Sequence, residues 1–438
     1  MSVNSVKTQH EIIGNRQSPG ASEYIRNTHP DTKWWDQTCL GLFIHWGISA
    51  VSGMTDLSWG MMRPSPHNFE QSEPVWGLAA HGGSLPPRLY WEQAKEFSAE
   101  KYNPDQWLKA AKEAGFQYAI MTTKHHDGFA LWPSEYGNFN TKNYLGGRDL
   151  VGEFIEACRK NNMRVGLYYS PPDWYVSRDY MSFARDEEVG IDYEPRKKKE
   201  ETPEYRKQLA EYRHGQIVEL LTRYGKIDML WFDGSCEMAI TPEEIRALQP
   251  GILCNNRGWG YGDFVCPECK FPENRFPENT KFQYIHCLSD GGWGYRDYEI
   301  YRPMGWLVGE MGKARSWGGH FVANVGPKAN GELPQVYYYR MKQLKEWMDR
   351  YSGIMFDVEG GPWPEKCNVP VTTKQGVWFV HADWRVDYPI EITDVEKPVS
   401  VKLFDGSDVP YQYENRKLTF MVPWGKKHHY TDPVRIEW

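Results

Sequence analysis

The sequence lacks any long apolar stretch. Nowhere do about 18 apolar residues, the length that a membrane-crossing helix needs, occur in succession. The first 25 residues contain no apolar run of the kind that marks a signal peptide. We therefore expect no membrane partner and a cytoplasmic location, or a secreted or periplasmic one if a leader has been removed.

Blocks of like charge are also absent. The formal net charge is -7 over 438 residues, and the densest basic cluster is the short "RKKKEE" around Arg196. Proteins that bind nucleic acids present a basic patch or arm to the phosphates. The sequence therefore predicts no nucleic-acid partner.

The eight cysteines show no regular framework. Their scatter is unlike that of small disulfide-rich secreted domains, so free thiols are expected. One C-x-x-C pair, Cys266 and Cys269, lies near Cys254 and Cys287 and leaves open a four-thiolate zinc site. The other spacings are irregular, so we favour thiols and predict no metal or cofactor.

Tryptophan is the residue present in excess. The chain has 20 Trp and 15% aromatic residues, although charged residues make up 25%. Aromatic faces stack on the C–H faces of pyranose rings, and they also fill large cores. Both explanations stay open for any one tryptophan.

Short apolar runs alternate with amphipathic helical stretches along most of the chain. "LGLFIHWG", "FQYAIMTTKHH", "MRVGLYYS" and "KIDMLWFDG" are typical of buried strands. Between them, "NPDQWLKAAKEAG" has Asn103 as a helix N-cap, Pro104 at the first helical position and Gly115 as the stop. Apolar strands alternating with helices predict an α/β fold with a (β/α)8-like, TIM-type barrel.

The pattern changes after about Asp357 to short alternating strands separated by turns, as in "VSVKLFDG". This pattern predicts a small C-terminal all-β, sandwich-like domain. The predicted organisation is an N-terminal tail over residues 1–25, a catalytic barrel over 26–356 and a β-sandwich-like module over 357–438.

Polar and aromatic residues follow the predicted barrel strands, whose carboxyl ends meet at one mouth. This strand-end set comprises His45, Trp46, His125, His126, Asp127, Tyr168, Tyr169, Trp231, Asp233, Asn256, Arg257, Trp293 and Tyr295.

The stretch "TTKHHDGFALW" leaves several kinds of site open, including a metal site and a sugar clamp. Adjacent residues of a strand point to opposite faces, and no HxH or HxxxH spacing is present, which disfavours a metal. The same alternation leaves open that only one of His125 and His126 faces the mouth while the other is structural.

"IDMLWFDG" delivers Asp233 from a fully apolar strand, directly before Gly234. A carboxylate beside Trp231 at a barrel strand end suits nucleophilic attack on an anomeric carbon. Asp228 would lie at the other end of this strand and is predicted to be structural.

The order of the motifs "GLFIHWG", "TTKHHDGFALW", "IDMLWFDG", "NNRG", "GGWGY" and "GGHFVANVGP" resembles that of the α-L-fucosidases of glycoside hydrolase family 29. The resemblance implies an exo-acting, retaining enzyme that acts on fucosylated oligosaccharides or glycoconjugates, with Asp233 as nucleophile. It also implies that Trp293 forms an apolar wall against the C5 methyl group of fucose. The predicted substrate-binding residues are His45, Trp46, Trp59, His125, His126, Tyr168, Trp231, Arg257 and Trp293.

A retaining glycosidase needs a second carboxyl as acid/base. Some relatives carry it where "GDFVCPE" places Glu268, and others use the Glu of a "WE" pair, for which this chain has Phe282 and Gln283. Because Gln cannot donate and recover a proton, Glu268 is the predicted acid/base, with Glu273 and Glu278 as alternatives.

The chain also departs from its relatives at "LSWGMM", where many of them have "EWY". Trp59 is kept, but Ser58 and Gly60 flank it, so a related sugar such as an α-L-galactoside is an alternative substrate. Gln283, together with the choice of acid/base that the motifs leave open, motivates a further alternative, a catalytically inactive sugar-binding protein.

Overall fold

The structure is a computed structural model that describes residues 9–14, 24–64, 84–236, 238–290, 292–383, 385–423 and 430–438. None of the helices within these ranges is both long and apolar enough to cross a membrane.

A central sheet of seven parallel strands forms the larger part of the molecule. Its strands lie in the order β5-β4-β3-β2-β1-β7-β6. They are β1 (Leu40–Ile44), β2 (Tyr118–Lys124), β3 (Arg164–Tyr169), β4 (Met229–Phe232), β5 (Leu253–Cys254), β6 (Gln283–Cys287) and β7 (His320–Val325).

Residues 264–268 lie between the two edges of this sheet. Parallel bridges join Phe264 to Asn255 on one side, and join Val265 and Glu268 to Phe282 and Ile285 on the other. This segment takes the eighth position around the barrel. The predicted (β/α)8-like barrel is confirmed.

Helices connect most of these strands, and their starts follow the predicted signals. Asn103 accepts a hydrogen bond from the backbone of Gln106, and Asp149 and Thr202 cap two later helices in the same way. The described α-helices are α1 (Gln9–Ile12), α2 (Pro87–Glu92), α3 (Pro104–Glu113), α4 (Thr141–Tyr144), α5 (Leu150–Lys160), α6 (Pro203–Thr222), α7 (Pro242–Leu248), α8 (Met304–Ser316) and α9 (Gln335–Tyr351). Short 3₁₀ helices span Pro30–Gln37, Ile48–Ala50, Leu57–Met61, Gln93–Lys95 and Ser352–Ile354.

The alternation of side chains along each strand separates two cores. On β4, Met229 and Trp231 belong to the cluster inside the barrel, whereas Leu230 and Phe232 pack in the larger core beneath the helices. Continuing this alternation places Asp233 on the inner side, where the strand ends. The strand pattern therefore aims the predicted nucleophile into the mouth of the barrel.

The C-terminal strands form two antiparallel sheets with their own apolar core. Trp347 on α9 donates a hydrogen bond to Thr431 in the last strand at 3.0 Å, which joins the module to the barrel helices. The predicted all-β C-terminal module is confirmed, whereas its first residue stays a prediction. Its strands are β8 (Glu359–Gly360), β9 (Val371–Lys374), β10 (Val377–Asp383), β11 (Ile390–Thr393), β12 (Ser400–Leu403), β13 (Tyr411–Glu414), β14 (Lys417–Phe420) and β15 (Thr431–Glu437).

Most of the predicted N-terminal tail, residues 1–8 and 15–23, lies outside the described residues. Within the described part, Ile13 is buried, and its carbonyl accepts a hydrogen bond from the backbone N–H of Ser235 at 3.2 Å. Residues 9–14 therefore pack against the loop that follows β4, and the boundary between the N-terminal tail and the barrel stays a prediction.

Candidate active site

Asp233 lies at the carboxyl end of β4 and is 8% exposed. Its Oδ2 accepts a hydrogen bond from the Tyr168 hydroxyl at 2.8 Å, and its Oδ1 accepts one from Arg257 Nη1 at 2.9 Å. Burial raises the pKa of Asp233, but the charge of Arg257 and these hydrogen bonds outweigh burial and hold the pKa below its usual value. Asp233 is therefore an ionised carboxylate at neutral pH.

Gly234 fixes the turn directly after this carboxylate. Its φ is +110°, and a Cβ there would lie 2.5 Å from the Pro172 ring and 2.8 Å from the Ile13 carbonyl oxygen. Only glycine fits so close an approach with this backbone conformation. The chain after Asp233 is thus held between the loop that follows β3 and residues 9–14.

Arg257 joins two carboxyl groups at the mouth. Besides its contact with Asp233, its Nη2 lies 2.7 Å from Glu268 Oε1, and its Cζ lies 4.8 Å from the centroid of the Trp231 ring. Glu268 ends the segment that closes the barrel. The predicted nucleophile and the predicted acid/base therefore meet at a single guanidinium.

The other residues considered for the acid/base role lie elsewhere. Glu273 is exposed and pairs with Lys270, and Glu278 is also exposed. Gln283 is the first residue of β6, fully buried at the amino end of the barrel, where its amide donates to the Tyr118 hydroxyl at 3.1 Å.

His125 and His126 both face the mouth. Strand β2 ends at Lys124, after a register shift against β3, so the alternation of a regular strand does not reach the histidines. Their ring centroids are 4.2 Å apart, and the His126 Nε2 lies 3.5 Å from the Asp233 carboxylate. The alternative in which only one of the two histidines faces the mouth is wrong for this reason.

Hydrogen bonds assign the tautomer of His126 and of His45. Ser170 donates its hydroxyl to the Pro172 carbonyl, so its oxygen accepts from His126 Nδ1 at 2.6 Å. Asn324 donates its Nδ2 to a backbone carbonyl, so its Oδ1 accepts from His45 Nδ1 at 2.6 Å. In both rings, Nε2 is left as a hydrogen-bond acceptor.

His125 is held in the same tautomer by Ser58. The Ser58 hydroxyl donates to Asp127 Oδ2 at 3.2 Å, so its oxygen accepts from His125 Nδ1 at 2.5 Å. Asp127 therefore supports a histidine ring through Ser58, whereas Lys124 forms a separate buried ion pair with Asp173 at 3.0 Å.

Burial keeps the three histidines neutral. It lowers the pKa of His45 and His126 to about 4, and it lowers the pKa of His125 well below its usual value. The mouth thus presents three neutral acceptor nitrogens beside a carboxylate. Such a set matches the hydroxyl groups of a small sugar, which are hydrogen-bond donors.

Three of the predicted sugar-binding tryptophans lie at this mouth, each beside another residue of the site. The ring-centroid distances are 5.4 Å from Trp59 to His126, 5.5 Å from Trp231 to Tyr168 and 5.2 Å from Trp293 to His45.

Trp46 lies elsewhere. Its indole packs against Phe97, Tyr102 and Trp107 in the core outside the barrel and donates to the Lys328 carbonyl at 2.9 Å. The prediction that Trp46 binds sugar is wrong, because the residue after His45 points outward.

Among the described residues, His125, His126 and Asp233 are the one group whose possible metal-ligand atoms lie within 4.8 Å of one another. A cation there would meet the guanidinium of Arg257, which already binds Asp233 at 2.9 Å. The four cysteines considered for zinc form no such group within these ranges.

Two residues that shape the site were missed in the sequence. Asn324 orients His45 from within β7, and a polar residue in the apolar run "HFVANVG" was the available signal. Asp56 accepts the backbone N–H of Trp293 at 2.9 Å, and no sequence pattern marks it.

Comparisons with known proteins show the family to which the chain belongs. The sequence model of the family Alpha-L-fucosidase matches residues 9–353. The tissue alpha-L-fucosidase of Bos taurus is 27% identical over 373 residues, which cover 81% of this chain and 73% of the relative.

Solved structures are also similar. Alpha-L-fucosidase isoenzyme 1 from Paenibacillus thiaminolyticus aligns with a TM-score of 0.73 and 28% identity, over 93% of this chain and 98% of its own. Alpha-fucosidase of Thermotoga maritima aligns with a TM-score of 0.70 and 27% identity, over 93% and 97%. The chain is a glycoside hydrolase and belongs to the α-L-fucosidase family, glycoside hydrolase family 29, as its motifs predicted.

Proposed function

We propose that this protein is an exo-acting, retaining α-L-fucosidase that releases α-L-fucose from fucosylated glycans through a covalent intermediate on Asp233. The observation that carries the proposal is the shared contact of Asp233 and Glu268 with Arg257. Retaining glycosidases use two carboxyl groups, one as nucleophile and one as acid and then base. Asp233, whose pKa is held low, suits the nucleophile.

In the first step, Asp233 attacks C1 of the fucosyl unit while Glu268 protonates the glycosidic oxygen. The C1–O bond breaks, the glycan leaves as an alcohol, and an ester joins C1 to Asp233. In the second step, Glu268 takes a proton from water, which attacks C1 and releases Asp233. Two inversions at C1 give fucose with its original anomeric configuration.

The rest of the mouth positions the sugar. The Nε2 atoms of His45, His125 and His126 accept hydrogen bonds from sugar hydroxyl groups, which donate. The Tyr168 hydroxyl keeps the Asp233 carboxylate in place at 2.8 Å. The half-buried indole of Trp293 is the apolar wall for the C5 methyl group.

Hydrolysis of 4-nitrophenyl α-L-fucoside tests the proposal. We expect wild-type turnover and its loss in Asp233→Asn, since the amide is a poor nucleophile. Asp228→Asn is the matched control, because Asp228 precedes the same strand and accepts the backbone N–H of Val165 at 2.9 Å. Equal turnover by the wild type and Asp233→Asn would contradict the proposal.

The inactive sugar-binding alternative loses one of the two features that motivated it, since Gln283 lies at the amino end of the barrel, away from the mouth. The α-L-galactoside alternative concerns the C5 substituent and is tested by the experiment in the next subsection.

A further inference from the structure

The short segment from Asp56 to Trp59 contacts three separate parts of the mouth. Leu57 has a φ of +51°, a left-handed conformation that is uncommon for a bulky residue. From this turn, the flanking side chains contact three separate parts of the site. These contacts are Asp56 with the Trp293 loop, Ser58 with His125 and Trp59 with His126.

Asp56 holds the backbone that carries the Trp293 indole. The Asp56 side chain is 1% exposed, and its Oδ1 accepts the N–H groups of Trp293 at 2.9 Å and of Gly294 at 3.0 Å. On its other side, the Trp293 carbonyl accepts from Asn324 Nδ2 at 2.7 Å. The backbone of Trp293 is thus fixed from both sides.

Gly292 allows Asp56 to approach so closely. Its φ is +119°, and a Cβ at this position would lie 2.5 Å from Asp56 Oδ2. Any larger residue would push the carboxylate away from the loop.

The indole of Trp293 is one of three apolar ring surfaces at the mouth, beside Trp59 and Trp231, and it stands next to His45. L-Fucose carries a methyl group at C5, and L-galactose carries a hydroxymethyl group there. A fixed apolar wall excludes the extra hydroxyl by steric contact and by leaving that hydroxyl without a partner. A wall free to move would admit either substituent.

We propose that Asp56 is the specificity-determining positioning residue of this site: its carboxylate fixes Trp293 and so selects a methyl group over a hydroxymethyl group at C5. The inference rests on the proposed fucosidase function. Asp56 acts through Trp293 and touches no reacting atom.

The test is the ratio of kcat/KM for 4-nitrophenyl α-L-fucoside to that for the matching α-L-galactoside. A hydrophobic pocket discriminates against an added hydroxyl by about 100-fold, so we expect a wild-type ratio of this order. Asp56→Ala should reduce the ratio to about tenfold or less, since a loosened wall loses most of that discrimination. Asp56→Asn keeps an Oδ1 acceptor and should retain the wild-type ratio.

Asp228→Ala is the matched control. Asp228 is also a buried carboxylate that accepts a backbone N–H, but at the other end of the barrel. We expect this variant to lower the melting temperature and to leave the ratio unchanged, because general destabilisation does not alter the choice between two sugars.

Gly292→Ala provides a second perturbation that keeps the carboxylate. Its Cβ should displace Asp56 and lower the ratio in the same direction. A wild-type ratio in Asp56→Ala, or in Gly292→Ala if the first variant does not fold, would overturn the assignment. A wild-type protein that cleaves neither substrate would instead refute the proposed function, so the two failures are distinct.

Discussion

Arg257→Met should move the acid limb of the pH–rate profile to higher pH. The substitution keeps an unbranched apolar stem and removes the charge that contacts Asp233 at 2.9 Å. An opposite charge at this range lowers the pKa of a carboxyl by about 1 to 3 units. Without Arg257, burial would raise the pKa of Asp233 against fewer opposing groups, among them the hydrogen bond from Tyr168.

The direction in which the acid limb moves follows from the protonation state of Asp233 that catalysis needs. Asp233 attacks only when ionised, so kcat/KM falls as the pH drops through its pKa. A higher pKa in the variant therefore shifts the acid limb upward by roughly 1 to 3 pH units, about 1.4 kcal/mol per unit. This shift is separate from any loss of absolute rate.

The assay is kcat/KM for 4-nitrophenyl α-L-fucoside across the acid range. Arg164→Met is the matched control, because Arg164 contacts Asp228 at 3.3 Å at the opposite end of β4. Its acid limb should coincide with that of the wild type. An Arg257→Met profile whose acid limb also coincides would refute the electrostatic role given to Arg257.

Three further predictions address other parts of the site. Tyr168→Phe should lower kcat/KM roughly 10- to 100-fold, since a hydrogen bond to a charged group contributes about 1.5–3 kcal/mol; an unchanged value would contradict its contact with the nucleophile. Glu268→Gln should slow the hydrolysis of substrates with poor leaving groups far more than that of activated aryl fucosides, and Glu273→Gln should hydrolyse both at the wild-type rate. A Glu273→Gln variant that shows this loss, beside a Glu268→Gln variant that does not, would exclude Glu268 as the acid. Burial lowers the pKa of His45 and of His126 to about 4, so the affinity for fucose, measured by calorimetry, should weaken as the pH falls towards 4. A loss of affinity centred near pH 6.5 would contradict neutral histidines.

The barrel and the position of Asp233 at its mouth were predictable because they depend on local patterns. Alternation along "IDMLWFDG" places Trp231 inside the barrel and carries Asp233 to the mouth, and capping residues such as Asn103 set the helix starts. These signals lie within a few residues of one another. A single sequence is enough to read them.

The details that shape the mouth were not predictable in this way. The shift in register near the end of β2 brings His125 and His126 to the same side of the chain. The regular alternation of side chains along a strand does not predict such a shift. Trp46 follows a strand-end histidine and still points into the outer core. Asp56 and Trp293 are 237 residues apart, so only the fold brings them together.

Covalent trapping tests the central claim most directly. In 2-deoxy-2-fluoro-α-L-fucosyl fluoride, the ring fluorine slows both steps and the fluoride leaving group favours the first, so a fucosyl-enzyme should accumulate. We predict one added 2-fluorofucosyl group by mass spectrometry, on the peptide that contains Asp233, and no label in Asp233→Asn. A label on another residue, or turnover of fucosides by a wild-type enzyme that never becomes labelled, would contradict Asp233 as the nucleophile.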